Sequence, residues 1–96
     1  MKLSVIIPVF NERSTVGELI QRVRLVDLGD IEKEIIVVDD GSTDGSTEII
    51  RRLAEASPDT IKVHTSRVNL GKGAAIRFAL EYATGDIVII QDADLE

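Results

Sequence analysis

Carboxylates recur directly behind the apolar runs of this chain. Glu12 follows the first run, Asp39, Asp40 and Asp44 the second, and Asp92 and Asp94 the last. Like charges gathered so closely repel, and each resists ionisation unless something compensates. A hard divalent cation with a hydrogen-bonding ligand is the usual compensation. Mg²⁺ and Mn²⁺ take oxygen donors and commonly bind through one or two carboxylates plus ligand phosphates. Asp92-Ala93-Asp94 has the form this needs. Residues i and i+2 of an extended stretch point the same way, so both carboxylates can face one ion or its ligand. An isolated Asp-x-Asp is most often a solvated acidic loop; a place directly behind a buried strand favours the metal.

The segment Asp39-Asp40-Gly41-Ser42-Thr43-Asp44-Gly45 is in part a turn with helix caps. Asp40, Ser42, Asp44 and Gly45 also match the first, third, fifth and sixth positions of a calcium loop. The twelfth position would be Arg51 and a strand precedes the loop, so that reading fails. What remains is ligand recognition, with a carboxylate at a strand end accepting hydrogen bonds from a base or a ribose. Asn69-Leu70-Gly71-Lys72-Gly73 opens a helix with a Gly-rich turn. It is no dinucleotide fingerprint, since Ile76 stands where the third Gly belongs and the turn does not follow the first strand; the Walker spacing is absent too. Its free N–H groups and dipole favour an anion. Lys72 either balances the acidic rim or is simply solvated. Pro8 ends the first strand, where a missing N–H is tolerated. Phe10 behind it either stacks on a base or packs locally. Arg67 could reach a phosphate, and His64 reads as a strand-end residue without chemistry.

The elements that must position these groups follow from the hydrophobic pattern. Leu3–Val9, Glu34–Val38, Ile61–His64 and Asp86–Ile90 are short and rich in Val and Ile, the pattern of strands buried on both faces of a parallel sheet. Between them lie three helical stripes. Val16, Leu19, Ile20 and Val23 form the first, with Thr15 and Glu18 in capping-box spacing. Ile49, Ile50, Leu53 and Ala54 form the second, behind Ser, Thr and Asp residues suited to N-caps. Ala75, Ile76, Ala79, Leu80 and Ala83 form the third, with Gly85 where a C-cap is expected. The order β-α-β-α-β-α-β predicts an α/β sheet with right-handed crossovers. Sites in such sheets lie outside the C-terminal strand ends, the rim that carries these carboxylates. No helix follows Ile87–Ile90 to cover the fourth strand. The expectation is a piece of a longer protein or cover from another chain, and an exposed apolar edge predicts a homodimer through that strand.

Composition narrows the function classes. The chain has 96 residues, 44% of them apolar and 29% charged. That supports one small domain. No run approaches the roughly 18–20 apolar residues of a membrane span, and the N-terminus is too soon interrupted for a signal peptide. The chain has no Cys, which excludes disulfides, thiolate metal sites and Cys nucleophiles and fits a reducing, cytoplasmic setting. A net charge of −6 argues against nucleic acid as a partner, and a single His against a zinc site.

Four stretches, in this order, resemble the family 2 glycosyltransferases of the GT-A fold. They are Val5-Ile6-Ile7-Pro8-Val9-Phe10-Asn11-Glu12, Val37-Val38-Asp39-Asp40-Gly41-Ser42-Thr43-Asp44, Asn69-Leu70-Gly71-Lys72-Gly73 and Asp92-Ala93-Asp94. The Asn-Glu, Gly-Lys-Gly and Gln-Asp-Ala-Asp-Leu-Glu elements are most similar to dolichol- and polyprenyl-phosphate sugar transferases. The resemblance implies a three-layer, Rossmann-like half-domain with four mainly parallel strands in the order 3-2-1-4. It implies a GDP- or UDP-linked sugar donor, Mg²⁺ or Mn²⁺, and transfer with inversion to an acceptor such as a polyprenyl phosphate at the cytoplasmic face of a membrane. Pro8, Phe10, Glu12 and Lys72 would line the nucleotide pocket. Asp40 would bond the base with Val38 and Asp39 beside it, Asp92 and Asp94 would hold the metal, and Ala93 would lie against the nucleotide. Catalytic domains of the family are about twice as long as this chain. Residues 1–96 are therefore expected to be the donor-binding half, without the acceptor site or general base and without transfer activity alone. The alternative is a non-catalytic nucleotide-binding or interaction module of the same fold. A nucleotidyltransferase would carry a Gly-rich basic loop after strand one, where Val9-Phe10-Asn11-Glu12 has none, and a phospho-receiver would carry its acidic pair there.

Overall fold

The computed structural model describes residues 1–93. The elements are β1 (Lys2–Val9), α1 (Val16–Leu25), β2 (Glu32–Asp40), α2 (Ser46–Ala56), β3 (Ile61–Ser66), α3 (Lys72–Tyr82) and β4 (Ile87–Ile90). All strand pairs are parallel, and the sheet order is β3-β2-β1-β4, the order that the family resemblance implies. The chain therefore steps outward from β1 to β3 and then crosses back to the other side of β1. That reversal leaves a crevice at the C-terminal ends of β1 and β4, the usual place for a ligand in such a sheet.

Side-chain alternation builds the layers. Val5, Ile7 and Val9 of β1 join Ile35 and Val37 of β2 on one face, where Val16, Leu19 and Ile20 of α1 and Ile50 of α2 close over them. On the other face Ile6, Ile36 and Val38 meet Ala75 and Ala79 of α3, with Ala83 at the margin. Burial on both faces holds for β1 and β2 only. Beyond Ile61, β3 is open to solvent along most of its length, and Ile87, Val88, Ile89 and Ile90 of β4 are all exposed. The reason is geometric: α3 lies over β1 and β2, which leaves the edge strands without a helix on that face.

Several local expectations are corrected. The Thr15–Glu18 capping box does not form; the Thr15 hydroxyl donates instead to the Ala93 carbonyl at 2.9 Å. Helix α2 is preceded by Gly45 at φ 100° and not by a Ser, Thr or Asp cap. Asp44, one step earlier, accepts the Ser46 N–H at 3.0 Å and the Ser46 hydroxyl at 2.6 Å. Helix α3 ends at Tyr82, and its Leu80 is exposed, so the buried stripe consists of alanines. Gly85 is no C-cap. It crosses β1 so closely that a Cβ there would sit 2.5 Å from Ser4 Oγ and 2.7 Å from Ser4 N, and its N–H donates to that hydroxyl. His64 lies inside β3, its ring stacked on Phe78 with centroids 3.7 Å apart. Among the described residues no helix is long and apolar enough to cross a membrane.

A lysine caps the first helix from outside it. Lys33 Nζ donates to the carbonyls of Val23 at 2.7 Å, Arg24 at 3.1 Å and Val26 at 2.6 Å. These carbonyls lie at the negative end of the α1 dipole, where helix acceptors lack helical partners. Burial lowers the Lys33 pKa, against the pull of Asp27 and with the push of Arg24. Lys33→Met is expected to reduce stability by about 1–2 kcal/mol in urea denaturation. An unchanged midpoint would contradict the capping role.

Candidate functional site

Strand alternation separates the two carboxylates at the end of β2. Asp39 points to the α2 side and is fully buried, accepting from the Thr47 hydroxyl and, at 3.2 Å, from the Ser42 N–H. Asp40 points to the α3 side. Its two oxygens accept the N–H groups of Leu70 and Gly71, each at 2.9 Å. Those N–H groups form the turn into α3, so Asp40 sits where a helix start favours an anion. Asp44 accepts from Ser46 and, at 3.1 Å, from the Arg13 N–H. The Ser46 hydroxyl holds the Asp44 pKa below the usual carboxylate range; partial burial opposes it, and the N–H groups of Ser46 and Arg13 reinforce it. For these three carboxylates protein N–H and O–H donors supply compensation.

The same bonds shape the loops. Asn11 adopts φ 50°. Its short polar side chain tolerates that left-handed conformation. Its N–H donates to Ser42 Oγ at 3.0 Å and its carbonyl Oδ1 accepts the Thr43 N–H at 2.8 Å. The β1–α1 and β2–α2 loops are thereby locked to each other. The segment behind β4 has its own anchors. The Gln91 N–H donates to the Ile6 carbonyl at 2.8 Å, the Ala93 side chain is buried in the α1/α2-side core, and Thr15 holds the Ala93 carbonyl. Asp92 stands between these anchors with its side chain half exposed, ion-paired to Lys72.

These elements enclose a cleft of about 370 Å³, lined by Pro8, Val9, Phe10, Glu12, Asp40, Asn69, Gly71, Lys72, Asp92 and Ala93. Of the residues expected from the sequence, Pro8, Phe10, Glu12, Asp40, Lys72, Asp92 and Ala93 converge here. Val38 and Asp39 do not: Val38 is buried in the α3-side core and Asp39 beneath α2. Asp94 lies outside the described residues. Sequence reasoning did not place Val9, Asn69 or Gly71 in the lining. Val9 carries no signal beyond that of a strand residue. Asn69 and Gly71 belong to the Gly-rich turn, whose anion-favouring N–H groups were the available clue.

The donor set in the cleft is made of oxygen. Glu12 and Asp92 present carboxylates, and no thiol or imidazole lines the wall. Hard oxygen donors in this number fit Mg²⁺ or Mn²⁺, which keep part of their shell for water and phosphate. Among the described residues no three acidic or imidazole groups converge on one point. The remaining ligands of such an ion would come from phosphate, water or residues beyond Ala93.

The sequence model described as glycosyl transferase family 2 matches residues 4–96. The chain belongs to this family. Among similar glycosyltransferases is the undecaprenyl-phosphate 4-deoxy-4-formamido-L-arabinose transferase of Pseudomonas syringae, 41% identical over 95 residues, which cover 98% of this chain and 28% of that protein. A prophage bactoprenol glucosyl transferase homolog of Escherichia coli is 38% identical over 97 residues, covering 100% of this chain and 31% of that protein. Among solved structures, the mannosyltransferase PcManGT of Pyrobaculum calidifontis, in complex with GDP-Man and Mn²⁺, matches with a TM-score of 0.85 and 37% identity over 96% of this chain and 27% of that chain. The chain thus spans less than a third of the length of the curated glycosyltransferases it matches. The parallel sheet with helices on both faces is the GT-A arrangement of this family.

Proposed function

We propose that this chain is the donor-binding half of a family 2 glycosyltransferase. It holds a nucleoside diphosphate sugar and a divalent cation in the cleft, for transfer with inversion to an acceptor of the polyprenyl-phosphate type at the cytoplasmic face of a membrane. The observation that carries this reading is the meeting of Glu12 and Asp92 with the N-terminal turn of α3 in one oxygen-lined cleft. The likeness to transferases named for undecaprenyl phosphate, and to a mannosyltransferase holding GDP-Man and Mn²⁺, supports the donor and acceptor classes.

Each residue then has a task. Pro8 and the half-exposed Phe10 offer a flat apolar wall to a base. Asp40 takes the Leu70 and Gly71 N–H groups and so fixes the turn from which Lys72 faces the phosphates. Its oxygens, each with a second lone pair, also accept from the base edge. Asp92 and Asp94 would hold the cation, with Glu12 across the cleft. A bound cation would neutralise the charge that develops on the departing nucleoside diphosphate. A phosphate acceptor is already anionic at neutral pH, so the nucleophile needs no strong base from this half. The acceptor pocket lies outside these residues, and the 96-residue chain binds donor without transferring sugar.

Calorimetric titration with UDP and with GDP, each with and without Mg²⁺, tests this. Asp92→Asn is expected to lower the metal-dependent affinity about a hundredfold, the scale of losing a charge-assisted contact. Binding that ignores both Mg²⁺ and this substitution would refute the proposal. A second variant tests the anchoring of Asp92. Thr15→Val keeps the side-chain shape but removes the bond to the Ala93 carbonyl. It should weaken metal-dependent binding about tenfold, as supporting-shell changes typically do. Thr15→Ser should retain the affinity. Equal affinities for all three proteins would show that Thr15 does not position the metal segment.

A further inference from the structure

We infer that Lys72 serves as an internal cation for Asp92, holding its carboxylate while no divalent ion is bound and turning to the diphosphate when one is. The inference rests on the reading of Asp92 as a metal ligand and adds a coupling between metal and nucleotide. Lys72 Nζ pairs with Asp92 Oδ1 across the mouth of the cleft, joining the first residue of α3 to the segment behind β4. The ion pairs Arg22–Glu18, Arg51–Glu48 and Arg52–Glu48 are i,i+3 or i,i+4 contacts on exposed helix faces. The Lys72 pair instead bridges two elements that both line the cleft.

Two features favour exchange over a permanent bridge. The Lys72 and Asp92 side chains are 57% and 55% exposed. Solvent therefore screens the pair, and little holds it together. A lysine on the first turn of a helix also faces the positive end of the dipole, an unfavourable place unless an anion lies nearby. Without metal that anion is Asp92. With metal on Asp92, the diphosphate takes its place, within reach of a flexible four-carbon stem carrying three donors. Metal alone must displace Lys72 and binds more weakly for it. Metal together with nucleotide gives Lys72 a new partner. The two ligands therefore favour each other beyond their direct contact, and by linkage the effect is reciprocal.

The test measures Mn²⁺ binding to the 96-residue chain by electron paramagnetic resonance without nucleotide, and UDP or GDP affinity in Mg²⁺ by calorimetry. Lys72→Met should bind Mn²⁺ alone about threefold more tightly than wild type, the scale of an exposed ion pair. It should bind the nucleotide in Mg²⁺ severalfold more weakly. Arg67→Met removes the same charge from the loop before α3, where Arg67 makes no ion pair among the described residues. It should leave Mn²⁺ affinity within about twofold. Equal or weaker Mn²⁺ binding by Lys72→Met, or an equal gain in both variants, would overturn the inference while wild-type nucleotide binding left the donor site standing. A wild type that binds no nucleotide with metal would overturn the donor site and this inference with it.

Discussion

Replacing Glu34 with glutamine is expected to destabilise the fold by about 3 kcal/mol at neutral pH and to flatten its acid sensitivity. Glu34 opens the buried part of β2 at the end of the sheet opposite the cleft, only 2% exposed. Its carboxylate accepts from the Ser4 hydroxyl at 2.5 Å, the Thr84 N–H at 2.7 Å and the Thr84 hydroxyl at 3.1 Å. Lys62 and Lys2 stand at 3.3 and 3.6 Å. This one group joins β1, β2, β3 and the connection from α3 to β4. Burial pushes its pKa up, but the bonds from Ser4, from the Thr84 N–H and hydroxyl and from Lys62 outweigh burial and hold it at about 2, against an ordinary 4.5. A depressed carboxylate stabilises fully above its unfolded value, and the contribution disappears as pH falls through the folded value. The wild type should therefore lose about 3 kcal/mol relative to Glu34→Gln between roughly pH 5 and pH 2, followed by urea midpoints across that range. Parallel pH profiles for the two proteins would contradict the assignment.

Gly41→Ala should be as damaging, through the backbone. Gly41 turns the chain out of β2 at φ 79°, and a Cβ there would meet Asn69 N and Val68 C at 2.6 Å each. A left-handed alanine costs about 1 kcal/mol. The clash is with main chain, so the β3–α3 loop must move as a whole. That loop delivers the Leu70 and Gly71 N–H groups to Asp40 and Lys72 to the cleft. Stability should fall by about 3 kcal/mol, and nucleotide binding should be lost along with it. Gly73→Ala gives the opposite sign. Nothing lies within 4 Å of its Cβ position on α3. That variant should be stabilised by about 0.5–1 kcal/mol. Equal thermal denaturation midpoints for Gly41→Ala and wild type would show that the loop yields without strain.

The parallel strands and the position of the cleft were legible because both follow from local signals, whereas the order 3-2-1-4 was implied only by the family resemblance. Runs of Val and Ile between amphipathic stripes give parallel strands, and polar residues behind those runs mark the functional rim. What was not legible depends on partners far along the chain. Asp39 and Asp40 are adjacent, and alternation alone sends them to opposite faces. That Thr47 would take one, and the Leu70 and Gly71 N–H groups the other, is a tertiary fact. The Thr15 hydroxyl has a local cap available and yet bonds a carbonyl 78 residues away. Gly85 gives the same signal for a helix C-cap as for a close crossing of two backbones, and the second applies. Apolar runs look alike in central and edge strands, so the exposure of β3 appears only once α3 is placed over β1 and β2, whereas an exposed apolar fourth strand was already expected.

Nucleotide and divalent cation are proposed to meet in the cleft between β1, the turn into α3 and the segment behind β4. Amide shifts of the 96-residue chain, titrated with UDP and with GDP, each with and without Mg²⁺, test this most directly. Mg²⁺-dependent shifts are expected at Phe10, Glu12, Gly71, Lys72, Asp92 and Ala93, and none at Lys33 or Glu34 at the opposite end of the sheet. A folded chain whose cleft amides stay still, or shift equally without Mg²⁺, would contradict it.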